Sequence, residues 1–135
     1  MKSIYLLLVL IVLGGCKKTI QEVKQNQLID IVTSGYWKIT NYTRGSTDIT
    51  SDFSSYKFQF KDNNTIDALV NNTVVKTGQW IGDINAQTVT ANFDNPGYPL
   101  ELLIGVWNIM GGDTKTVIAK LTINGEPRSL KLEKL

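Results

Sequence analysis

From Gly35 to the C-terminus, apolar residues recur at every second position in short runs. Trp37-x-Ile39, Tyr56-x-Phe58-x-Phe60, Ile66-x-Ala68-x-Val70, Val89-x-Ala91-x-Phe93, Val117-x-Ala119-x-Leu121-x-Ile123 and Leu130-x-Leu132 each set one row of side chains on one face of a strand. Turn-forming residues separate the runs: Asp62-Asn63-Asn64, Asn71-Asn72, Gly82-Asp83, Asn95-Pro96-Gly97, Gly111-Gly112-Asp113 and Asn124-Gly125. The spacing predicts eight strands, near 36–43, 54–61, 64–70, 73–81, 87–93, 100–110, 115–124 and 127–134. Short connections and one-sided alternation predict antiparallel hairpins in sequence order. Eight such strands can close into an up-and-down β-barrel that leaves no free edge; a two-sheet sandwich is the alternative.

Ahead of the strands the period changes. Leu28, Ile31 and Val32 fall at helical spacing, and Gly35 follows where a helix C-terminus favours glycine, which predicts a short helix over 26–34. The polar stretch "KKTIQEVKQN" before it reads as a tether. Earlier still, Lys2 leads into ten uncharged residues, Ile4 to Leu13. Crossing a bilayer takes about 20 apolar residues, so this run is too short to span one and fits the apolar region of a secretory signal.

Leu13-Gly14-Gly15-Cys16 resembles the lipobox of bacterial lipoproteins, with leucine at −3, small residues at −2 and −1, and then the required cysteine. The resemblance implies a diacylglyceryl thioether on Cys16, cleavage just before it, and acylation of the new amino terminus, for instance with palmitate. Two or more acyl chains hold a protein on a membrane stably, whereas one holds it weakly. The chain then divides into a signal peptide (1–15), a lipid-anchored tether (16–26) and one barrel domain (27–135). Some surface-exported lipoproteins of Bacteroidetes carry acidic residues just after the anchor. Here Lys17-Lys18-Thr19-Ile20 follows, so the expected place is the outer membrane, facing the periplasm.

Charge and chemistry narrow the classes further. Without Lys2 the chain has thirteen basic and twelve acidic side chains and no basic stripe, which argues against a nucleic-acid partner. It has no histidine, so Ser-His-Asp and Cys-His catalysis and histidine-ligated zinc are excluded. Cys16 is the only cysteine, which excludes a disulfide framework. Asp67, Asp83, Asp94, Glu101 and Asp113 remain as candidates for a carboxylate pair, but most adjoin turns, where Asp bonds its own backbone. Asp67 lies between inward-facing Ile66 and Ala68 and is expected to point outward. Asp62-Asn63-Asn64 lacks the spacing of a calcium loop, and Gly111-Gly112 that of a phosphate loop. The expectation is a protein without catalytic residues, metal or cofactor.

Each of the three tryptophans has a glycine two residues earlier: Gly35 and Trp37, Gly78 and Trp80, Gly105 and Trp107. In a strand the two share a face, so bare backbone beside each indole can receive a neighbouring ring. With strands alternating up and down, all three indoles are expected at the end the helix covers. This order of motifs resembles the lipocalins, and more specifically the small lipocalin-like lipoproteins of Bacteroidetes. The residues that carry it are Trp37-Lys38-Ile39, Tyr56 to Phe60 with Asp62-Asn63-Asn64-Thr65, Gly78 to Trp80, and Trp107-Asn108-Ile109. The resemblance implies an eight-stranded barrel with a short N-terminal helix. The arginine that packs over the first tryptophan near the chain end in that family is not evident here, and Lys131 or Lys134 is the candidate substitute. The Thr-Asp-Tyr motif of full lipocalins is absent, and the domain is shorter than theirs.

Two functional expectations follow. In one, a small apolar ligand binds at the barrel mouth, ringed by residues 44–53, 71–73, 94–99 and 124–127. Asn41, Phe53, Tyr56, Phe58, Phe93 and Tyr98 would line the mouth, and Arg44 would meet a carboxylate head. In the other, the barrel is filled by its own side chains and serves as an interaction or scaffold module of the envelope. Cavity size separates the two.

Overall fold

The structure is a computed structural model that describes residues 24–135. The segment read as a signal, Cys16 and most of the stretch read as a tether lie outside the described residues. The chain is helical over 24–33 (α1), starting within the stretch read as tether. Nine strands follow: β1 (Trp37–Arg44), β2 (Thr47–Asp48), β3 (Tyr56–Phe60), β4 (Thr65–Val70), β5 (Thr73–Asp83), β6 (Thr88–Asn92), β7 (Gly105–Gly112), β8 (Thr116–Ile123) and β9 (Glu126–Lys134). Eight of them pair antiparallel in the order β1-β3-β4-β5-β6-β7-β8-β9, and β9 returns to β1 to close a barrel. The two-residue β2 only folds back on the end of β1. The all-β barrel read from the alternation is the observed fold.

The turns show why neighbours pair in sequence order. Asn71 and Asn72 (φ 50° and 61°) join β4 to β5, and Asn124 and Gly125 (φ 51° and 78°) join β8 to β9. Both are two-residue links with two successive left-handed residues, whose twist matches that of the strands they connect. Two segments depart from the alternation. Residues 100–103, expected as strand, form a 3-10 turn, Leu100–Leu103. Leu100, Leu102 and Leu103 are all buried, which a two-residue period does not allow. Gly111-Gly112, read as turn, are the last residues of β7.

The barrel wall is uneven. β8 and β9 are in register over eight residue pairs, but β1 and β3 meet only at Trp37 and Phe58. Beyond that point the link between them fills the gap. Tyr42 N–H donates to Thr50 Oγ1, and Ile49 N–H to the Tyr42 carbonyl, both at 2.9 Å. Thr50–Phe53 then form a second 3-10 turn. The barrel thus has a helix end, with α1 and the β3–β4, β5–β6 and β7–β8 links, and a loop end with the others.

Candidate functional site

The loop end, expected as the mouth, is shut. Phe53 turns inward and is fully buried, its ring stacked on Tyr42 with centroids 5.0 Å apart. Tyr42 meets Trp107 edge to face at 5.9 Å and donates its hydroxyl to the Leu102 carbonyl at 2.7 Å. The Trp107 indole N–H donates to the Leu103 carbonyl at 2.9 Å. Two loops therefore knit over the end of the barrel. Burial pushes the Tyr42 hydroxyl up to about 12, against the opposing pull of Arg128 and Arg44.

The residues expected to line a mouth separate accordingly. Phe58 and Phe93 face the interior, and Phe53 is part of the plug. Arg44 is not available for a ligand carboxylate: its Nε lies 2.7 Å from Glu126 Oε1, an oxygen that Arg128 Nε also approaches at 2.9 Å. Those two bonds hold the Glu126 carboxyl below its usual range. Tyr98 is exposed and donates to Asp52. Asn41 follows a bulge in β1, and Tyr56 stacks against Phe58 at 6.3 Å. Asn41, Arg44, Tyr56 and Tyr98 do not line the cavity inside the barrel.

Inside, a wholly apolar cavity of about 70 Å³ remains between Trp37, Phe58, Phe60, Phe93 and Trp107. Pockets that enclose a whole small-molecule ligand measure about 300–1,000 Å³, so the barrel is filled chiefly by its own side chains. Trp37, Trp80 and Trp107 are 1%, 2% and 4% exposed. Each indole N–H reaches a backbone carbonyl, as buried indoles require. The carbonyls differ in place, and that corrects the expectation of a shared end. Trp37 donates to Val32 of α1 and Trp80 to Lys61 in the β3–β4 turn, both at the helix end, whereas Trp107 bonds the plug. Lys134 supplies the cation over Trp37, 4.9 Å from the ring centroid, and ties it to α1 through the Ile31 carbonyl at 2.7 Å. The ring expected across bare backbone is seen at Gly78, where an added Cβ would stand 2.7 Å from Phe93 Cδ1 and 2.3 Å from the Asn92 carbonyl oxygen. At Gly105 the close neighbour is Leu121, and at Gly35 the Lys134 stem.

A larger concavity lies at the helix end. An open groove of about 700 Å³ runs between α1, the β5–β6 turn and the β7–β8 hairpin. Leu28 and Ile31 form its helical wall, and Met110, Gly111 and Gly112 the opposite one. Gln25 pins α1 in place, donating to the Gly82 carbonyl at 2.8 Å and accepting from Ile84 N–H at 3.0 Å. At the rim, the Asp83 carboxylate accepts from Asn85 and Ala86 N–H, and that of Asp113 from Lys115 N–H. These carboxylates brace turns. Val32, Val89, Ile109 and Val117 line both the groove and the interior cavity, so a single layer of side chains divides them. The sequence signal for this site was slight: Leu28 and Ile31 at helical spacing, and paired glycines that leave β7 bare.

No family model matches the chain, and no curated protein matches it. A solved structure shares its fold. It is the 1.00 Å crystal structure of a DUF4847 family protein from Bacteroides vulgatus ATCC 8482, which superposes with a TM-score of 0.54. Identity is 14%, over 78% of this chain and 96% of that one. At that identity the likeness is one of fold alone.

Among the candidate carboxylates, Asp67 is engaged by its neighbours, as Asp83 and Asp113 are. Asp67 was expected to point into solvent, yet it is only 4% exposed. Lys61 Nζ lies 2.6 Å from one of its oxygens and Thr77 Oγ1 donates to the other at 2.7 Å. Burial alone would push its carboxyl up; the bonds from Lys61 and Thr77 outweigh that and hold it below the usual carboxylate range. Among the described residues no group of three or more acidic, cysteine or histidine side chains is placed to hold a metal ion.

Proposed function

We propose that this chain is a lipid-anchored binding protein of the cell envelope, whose filled barrel is a scaffold and whose working surface is the groove beside α1. The observation that carries this is the contrast between the two ends: a plugged loop end over a 70 Å³ interior, and an open 700 Å³ groove at the helix end. A small apolar ligand therefore belongs in the groove, where Leu28, Ile31 and Met110 offer apolar surface, and not at the loop-end mouth. An environment-sensitive apolar dye should bind saturably to the wild type. Met110→Lys puts a charge on a residue 60% exposed, so the fold should survive while dye affinity falls at least fivefold. Tyr98→Ser, at the loop end, should leave affinity unchanged. Dye binding lost in Tyr98→Ser and kept in Met110→Lys would return the site to the mouth.

Anchoring on Cys16, at the periplasmic face of the outer membrane, rests on Leu13-Gly14-Gly15-Cys16 and on the lysines after it. Cys16→Ser should abolish palmitate labelling of the chain in its own host, and unchanged labelling would refute the anchor. The protein-interaction reading draws on a different surface. Ile81, Thr90 and Val106 are cross-strand neighbours on the outer wall of β5, β6 and β7, and both apolar members are at least half exposed. In either reading the protein binds and does not catalyse.

A further inference from the structure

We infer that the groove holds the unbranched alkyl chain of a single-chain amphiphile, with the chain's end passing between Val89, Ile109 and Val117 into the barrel interior and the polar head left at the rim. This rests on the reading of the groove as the working surface and adds the chemistry of its occupant.

Three observations lead to it. First, the groove and the interior cavity share one layer of side chains, Val32, Val89, Ile109 and Val117. They are aliphatic, and none of them has a polar atom that parting the layer would leave unpaired. Second, the interior is wholly apolar and about 70 Å³. An engineered apolar cavity of about 150 Å³ takes up benzene. About half that volume suits the last few carbons of a chain, whose remainder lies outside, better than a ring. Third, the groove's charged lining residues, Asp83, Asp113 and Lys115, sit at the end of β5 and in the β7–β8 link. Asp83 and Asp113 are already engaged by backbone N–H groups, which leaves Lys115 as the rim's cation. Among the described residues, the groove's charged lining is confined to these three, so the chain and not the head is recognised.

Trp37 and Trp107 line the interior cavity, and neither lines the groove. Bromine quenches indole fluorescence on contact, so its position along a chain reports depth. Full-length protein is titrated with 12-bromododecanoate and with 2-bromododecanoate, each below its micelle concentration. The expected result is saturable quenching by the 12-bromo chain, with the 2-bromo chain quenching at most a third as much at equal occupancy. Ala119 lines the cavity, and Ala119→Leu fills it. That variant, shown to be folded by near-UV circular dichroism, should bind the 12-bromo chain at least tenfold more weakly. Dodecanol and dodecylphosphocholine, as competitors, should match dodecanoate within a few fold; a preference of tenfold or more for one head would overturn recognition by the chain alone. Equal quenching from both bromine positions overturns the insertion, and the groove reading survives if Met110→Lys still weakens binding. No saturable binding of any alkyl chain, with the dye still bound in the groove, overturns the alkyl inference alone. Failure of dye and chain together removes both.

Discussion

Single residues fix both ends of the barrel. Trp37 joins the first strand to α1 through its indole N–H, and Lys134 covers the same ring from the last strand. At the other end Tyr42 does comparable work: its ring packs on Phe53 and its hydroxyl holds the Leu102 carbonyl. Its ionisation gives a pH signature. The hydroxyl, ordinarily near 10, is raised to about 12, so the folded state favours the neutral phenol. The stability this contributes is fully present below pH 10 and is lost as the pH rises towards 12. Tyr42→Phe should cost about 1–3 kcal/mol at pH 8, from the hydrogen bond and the carbonyl left unpaired. The gap between wild type and variant should narrow between pH 10 and 12, because other alkaline titrations are common to both. Urea unfolding at pH 8, 10 and 11.5 measures it; a gap that stays constant would show that Tyr42 ionises as freely as in the unfolded chain.

At the scale of elements, the alternating stretches were legible because a strand with one buried face writes its period into the sequence. Tyr56 to Phe60 and Val117 to Ile123 are strands, as their spacing indicates. What the period did not reveal is how the loops close. Phe53 is a lone aromatic in a polar stretch, and only its tertiary contacts show that it turns inward to meet Tyr42. "LELL" resembles a strand start, yet three of its residues are buried under the plug. The groove was the least legible feature, since it arises from where α1 lies relative to the β7–β8 hairpin, which are far apart in sequence. The pairing pattern also sets the order in which elements open. β8 and β9 are paired along their length, whereas β1 and β3 share one pair and are bridged by a loop. Native-state hydrogen exchange should therefore be fastest across the β1–β3 seam and the Ile49–Phe53 segment, and slowest in β8 and β9. Protection of Tyr42 and Thr50 amides equal to that of Ala119 and Leu130 would contradict this.

Across the whole molecule, closure into a barrel removes the sheet's edges, and large side chains from both ends fill its middle. Trp37, Phe58, Phe60 and Trp107 line the remaining cavity of about 70 Å³, and Tyr42 and Phe53 are buried in the plug at the loop end. A barrel so filled cannot take a ligand whole, and its loop end is closed to one. The open surface lies beside α1, at the opposite end. Methyl-resolved NMR during a titration with dodecanoate tests this most directly, since apolar side chains at both ends report at once. The methyls of Val89, Ile109, Met110 and Val117 should shift together and saturate, while those of Leu100 and Leu102 in the loop-end plug stay fixed. Shifts at Leu100 and Leu102 with none along the groove would contradict the account and reopen the mouth.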